Sequence, residues 1–194
     1  ESSLLAGIVF DGLGRRMSPS HAVKTGKRYR YYITHSSEDL KAAPVWRLPA
    51  HDVERSVVSQ LVEFLEDRSS IERLVGSTEA KQLSTAFENC RHTADSLRTC
   101  TYHRRTKVPV LVERVTINDT LVRINLSKSG LGELLGLTIA DECHLSLTAP
   151  VCRVRKGAEV KLVISTETAP KRDEAIVSLL RDAFAVREKV LSAP

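Results

Sequence analysis

The stretch Asp11–His35, DGLGRRMSPSHAVKTGKRYRYYITH, gathers arginine, lysine, tyrosine and histidine around three glycines. Side chains of these types bind anions: Arg offers a planar fork of donors, Lys a point charge, and Ser, Thr and Tyr hydroxyls add hydrogen bonds to phosphate oxygens. Residues 1–34 hold six basic and two acidic side chains, which accounts for four of the net +5 charges of the whole chain. The positive charge is therefore local, the footprint expected of a phosphate-binding surface. The candidate contacts to double-stranded DNA are Arg15, Arg16, Lys24, Lys27, Arg28 and Arg30, with Ser18, Ser20, His21 and Tyr32 supplying hydrogen bonds.

Catalytic constellations are absent. DGLG lacks the spacing of a phosphate-cradling glycine loop and opens no helix, so it reads as a turn. The six histidines are scattered, and Glu63, Asp67, Glu159 and Lys161 read as solvated charges. Tyr102–Thr106 imitates a Y-x-R-x-S spacing but with Thr at its end, a chance match. The four cysteines, Cys90, Cys100, Cys143 and Cys152, lie far apart with no C-x-x-C pair, so neither a metal site nor a disulfide framework is expected, nor any cofactor. A reducing, cytoplasmic setting fits them. No apolar run reaches 18 residues and the start lacks the basic and apolar regions of a signal peptide, so no membrane partner is expected. The chain begins without Met, almost at once in a strand pattern, and reads as a piece of a longer protein.

The elements that must position these residues follow from periodicity. At 42% hydrophobic but only 5% aromatic residues, an aliphatic core divided among small modules is expected. Residues 1–48 read as a basic β module, with strands LLAGIVF, RRMS and RYRYYIT separated by turns. In RYRYYIT the alternation places Arg28, Arg30, Tyr32 and Thr34 on one face, expected to be the exposed basic one, and Tyr29, Tyr31 and Ile33 on a packing face.

Residues 49–107 form the second range. Pro49 suits a first helical turn, and Val53, Val57, Leu61 and Leu65 recur at helical spacing. A short helix over 71–75 ends at Gly76, and Ser77 or Thr78 can cap the next. In that helix Ala80, Leu83, Phe87, Cys90, Ala94 and Leu97 make a heptad seam. The seam packs either on the chain's own 53–65 helix or, as an oligomerisation surface of Leu83, Phe87, Cys90, Ala94 and Leu97, on another subunit. RTCTYHRRTK reads as a polar link. The third range, 108–194, reads as an α+β module: strands VPVLVERVTI and LVRINLS around a hairpin at Asn118–Asp119, a short helix SGLGELLGL, further strands turning at Lys156–Gly157, and a helix over 171–191 with Ile176, Leu179, Ala183, Phe184 and Leu191 on one face. The fold class is therefore α+β.

LLAGIVFDGLGRRMSPSHAVKTGKRYRYYITH followed by WRLPAHDVERSVVSQL resembles the region just after the catalytic domain of large serine site-specific recombinases, the resolvase/invertase class. Leu5, Gly7, Gly14, Met17, Tyr31, Arg47, Leu48, Pro49 and Ala50 fit that family's pattern. Its zinc-ligating cysteines do not: Phe10, Leu13, Thr34 and Ala43 stand at the four positions. The resemblance thus implies a zinc-ribbon-like module without metal, in which Phe10 and Leu13 form an apolar plug. VERVTI, APVCRVRKG and KRDEAIVSLLRDAF are similar to one bacterial branch of the same family, so the likeness covers most of the chain, strongly over 4–65 and loosely beyond. It implies a DNA-binding and assembly segment with other recombinase subunits as partners. The family's nucleophilic serine lies in a domain that this sequence does not contain, so no catalysis is expected of the segment. A rival expectation is a protein-interaction scaffold that never touches DNA. A third, an unrelated hydrolase, would require a cleft with a strongly perturbed carboxylate or histidine.

Overall fold

A computed structural model describes residues 3–34, 45–76, 79–137, 139, 145–156 and 159–164. The expected helix over 171–191, the caps Ser77 and Thr78, the Ala43 position and Gly157 lie outside them. The chain is mixed α+β, with five helices and two sheets among the described residues.

The strands are β1 (Val9–Asp11), β2 (Met17–Lys24), β3 (Lys27–Thr34), β4 (Arg47–Pro49), β5 (Val112–Ile117), β6 (Leu121–Leu126), β7 (Ser146–Lys156) and β8 (Glu159–Ile164). The helices are α1 (Ala50–Glu66), α2 (Arg68–Val75), α3 (Ala80–Thr99), α4 (Thr101–Leu111) and α5 (Lys128–Leu135). One sheet runs in the order β1-β5-β6-β7-β8, with β1 parallel to β5 and the other pairs antiparallel. The other is an antiparallel β2-β3-β4 sheet.

The large sheet shows the alternation of a sheet covered on one side. Val9, Val115, Ile117, Val122, Ile124, Ala149 and Val151 are buried, while residues between them face outward. Against the buried face lies α1, whose Val53, Val57, Leu61 and Leu65 repeat every four residues and are nearly inaccessible. α3 packs on α1 through Ala86, Cys90, Ala94 and Leu97. The heptad seam is therefore largely spent inside the chain: Cys90, Ala94 and Leu97 have no surface to offer another subunit, Leu83 and Phe87 are half-buried, and Ala80 is exposed. Arg68 stacks on the Phe87 ring at 4.4 Å. Burial raises the Cys90 thiol to about 11, so it stays protonated and unreactive near neutrality. A brief exposure of native protein to iodoacetamide at pH 8 should label Cys100 well before Cys90 by peptide mass spectrometry; equal labelling would mean that the α1–α3 contact opens.

Four local expectations are corrected. Leu4–Ile8 is a turn rather than part of a strand, with Ile8 N–H donating to the Leu5 carbonyl, and only Val9–Asp11 is extended. That strand joins β5 of the large sheet, not the β2–β3 ribbon. The supposed link RTCTYHRRTK is most of α4, and of VPVLVERVTI the first four residues are helical. Its helical state is set from outside: Arg104 donates from Nε to the Leu97 carbonyl and from Nη2 to the Arg98 carbonyl, capping α3, while Lys107 reaches Thr93 Oγ1 and Val108 and Leu111 are buried. Finally, the apolar plug does not exist. Leu13 is 57% exposed, and Phe10 is half-buried on the outer sheet face. Buried side chains from all three ranges, among them Leu5, Val9, Met17, Tyr32, Val57, Leu97 and Ile124, form one continuous core.

Candidate nucleic-acid interface

β2 and β3 pair over their full length, from Met17 opposite Thr34 to Lys24 opposite Lys27. Thr25 and Gly26 close the ribbon with φ of 51° and 74°, positive at both central residues as in the primed turns whose twist matches that of the strands. Glycine takes this conformation freely. The β-branched Thr25 does not, and it is the one non-glycine residue with positive φ among those described.

The ribbon's two halves differ. Near its root Met17, Tyr32 and Thr34 are buried, and β4 extends the sheet by pairing Leu48 with Tyr32. Beyond Arg30 the burial stops. His21, Val23, Lys24, Thr25, Gly26, Lys27, Arg28 and Tyr29 are all exposed, so both faces of the distal ribbon meet solvent. Four residue pairs at about 3.4 Å each give a free arm of roughly 13 Å. At its tip Lys24 lies opposite Lys27, with Arg28 next along the strand, and none of the three forms an ion pair with a described residue.

Other candidates sit elsewhere. Arg16 is exposed at the start of the ribbon, and Ser18 and Ser20 are half-buried along β2. Arg15 is only 8% exposed; its backbone N–H and Nε donate to the Asp11 carboxylate at 2.8 and 2.7 Å, closing the DGLG turn. It is a structural residue of that turn, not a surface charge. Tyr32 is fully buried, so it cannot reach a ligand. The expected assignment of faces therefore fails at the root: the Arg28–Arg30–Tyr32–Thr34 side points inward, because the Tyr32 hydroxyl has buried partners there. It accepts from Leu5 N–H at 2.9 Å and donates to Glu54 Oε1 at 3.0 Å. Glu54, on α1, also accepts from Leu4 N–H and from the Arg30 guanidinium, so Arg30 is tied to the root and not held out for a ligand. Burial first, and the Glu54 charge second, raise the Tyr32 phenol above its ordinary range, keeping it a neutral donor.

Sequence reading missed Tyr29 and Val23, which are 43% and 69% exposed on the arm. Alternation had put Tyr29 on a packing face, and nothing local signals that the distal face is bare. Arg47 is a further addition, its guanidinium 4.1 Å from the centre of the Tyr31 ring. Glu54 had no local signal at all, being 22 residues from Tyr32. Among the described residues no cluster of His, Cys, Asp or Glu could hold a metal ion, and no helix is long and apolar enough to cross a membrane. No protein-family model, curated protein or solved structure matches the chain.

Proposed function

We propose that this chain is a DNA-binding and assembly segment of a serine site-specific recombinase, non-catalytic by itself. One observation carries the DNA half of the reading: a two-stranded arm, bare on both faces, ends in three cations without acidic partners among the described residues. A two-stranded ribbon fits a major groove about 12 Å wide and 8.5 Å deep. Lys24, Lys27 and Arg28 would hold phosphates at the groove walls, with His21 and Tyr29 beside them on the arm. The root network of Tyr32, Glu54 and Arg30 fixes the direction in which the arm leaves the domain. Pre-organisation of that kind lowers the ordering cost of binding. The family resemblance over residues 4–65 supports the recombinase context and recombinase subunits as partners. Leu83 and Phe87, the half-exposed start of the heptad seam, are the residues left for assembly. The setting proposed is the cytoplasm, where Cys90 and Cys100 remain free thiols.

Counterion release supplies the test. Each phosphate-contacting cation contributes about 0.9 to the slope of log K against log salt concentration on duplex DNA. The double variant Lys24→Ala plus Lys27→Ala should make that slope shallower by about 1.8. An unchanged slope removes the arm from the interface and leaves the interaction-scaffold reading.

A further inference from the structure

We infer that the outer face of the five-stranded sheet is a second contact surface for the phosphate backbone of duplex DNA, beside the root of the arm. The register places Phe10, Thr116, Arg123 and Thr148 in one row across β1, β5, β6 and β7. Arg114, Asn125 and Ser146 form the next row on the same face. A polar outer face is ordinary for such a sheet, but these two rows hold two arginines and no carboxylate. A third arginine joins them, since Arg16 bridges to Phe10 at the edge strand and is exposed.

The arginines are arranged for use. The Arg114 guanidinium carbon lies 3.8 Å from the centre of the Phe10 ring, and that of Arg16 lies 5.8 Å from the same centre. Stacking on a ring leaves the in-plane N–H groups of a guanidinium free to form forked bonds to an anion. Two like charges thus share one aromatic ring, and neither they nor Arg123 forms an ion pair with a described residue. A phosphate backbone supplies the missing counter-charge. Arg123, Asn125, Ser146 and Thr148 of these rows also line a cleft that they share with Glu113 and Glu133, whose carboxylates limit how far an anionic ligand would extend there.

Position favours the same ligand for both surfaces. Arg16 immediately precedes β2, so the arginine track runs from β6 across β5 to the edge strand and to the root of the ribbon that carries the arm. The choice of duplex DNA rests on the reading of the arm, and the experiment separates the two. Binding of the 194-residue chain to a random-sequence 30-base-pair duplex would be followed by fluorescence anisotropy across a salt series. Arg16→Gln plus Arg123→Gln, two exposed positions, should make the salt slope shallower by about 1.8, additively with the Lys24 and Lys27 pair. Arg16→Lys plus Arg123→Lys should restore the slope, because charge and not geometry sets it. An unchanged slope in a folded Gln variant, with the Lys24 and Lys27 variant still losing slope, overturns this inference and leaves the arm intact. Loss of slope in the Gln variant alone upholds it and removes the arm. A chain whose duplex binding does not depend on salt overturns both, as does one that binds only single-stranded RNA.

Discussion

Gly130→Ala should destabilise the chain by about 3 kcal/mol, although alanine is the better helix former by about 1 kcal/mol. Gly130 lies in the first turn of α5, where its N–H donates to Oγ of Ser127, the residue that caps the helix. There α5 meets the last turn of α4. A Cβ on Gly130 would stand 2.1 Å from the Val110 carbonyl oxygen and 2.9 Å from its carbon, inside any permitted contact. The obstacle is backbone, which cannot rotate aside as a side chain would. It is also held in place, since Ser127 N–H donates to the Leu111 carbonyl at 2.9 Å and Leu111 is buried. Relief would require the two helices to separate and lift Leu131 and Leu135 from the core. Urea unfolding measures the effect. A variant as stable as the parent, or more so, would mean that helix propensity outweighs the close approach and that the joint is loose.

The second large effect is expected at Glu54. Glu54→Ala leaves the Tyr32 hydroxyl and the Leu4 N–H without their acceptor and Arg30 without its carboxylate. An orphaned polar group costs about 1–3 kcal/mol. Arg30 can turn to water, being 28% exposed at its side chain, so the total should be about 2–4 kcal/mol. Glu54→Gln keeps one acceptor oxygen but turns an amide toward a cation, and should fall about midway. Hydrogen exchange of the β2 and β3 amides should quicken near the root in both variants. If stability and exchange are untouched by Glu54→Ala, the arm is anchored by apolar packing alone. The same network sets an alkaline limit. Because the folded state holds the Tyr32 phenol above its ordinary value of 10.0, that contribution is complete below pH 10 and declines as pH rises beyond it. In a spectrophotometric titration Tyr32 should ionise only with unfolding; a phenolate formed in the folded state would mean that the hydroxyl is open to water.

How much of this was legible in the sequence depended on whether the signal was local. α1 announces itself by Val53, Val57, Leu61 and Leu65, because one helix face must meet the core, and the turn at Asn118–Asp119 by its flanking alternation. α4 does not. Its threonines, histidine and Pro109 argue against a helix, and the carbonyls of α3 that Arg104 caps are invisible to a local window. In β3 the alternation separates two faces correctly but cannot say which is inward; that is decided by Glu54 and Leu5, far along the chain. The cations of the arm were legible from composition. The distinction between Arg28, exposed at the tip, and Arg15, enclosed by Asp11, was not, because both look alike in a basic run. The Phe10–Arg114 contact was equally hidden, since it needs β1 and β5 to pair.

The parallel pairing of β1 with β5 also orders the folding of the chain in time. Val9 waits for Val115, about a hundred residues later, and at synthesis rates of roughly 5–20 residues per second the wait is on the order of 5–20 s. Until then the ribbon can form its local hairpin, within about 1–10 μs, and Glu54 can hold its root, but β1 beside it has no partner strand. Parallel, long-range contacts also close slowly once all partners exist. The arm is thus finished before the outer face beside it, so nascent chains carry a basic hairpin well before they carry a composite surface.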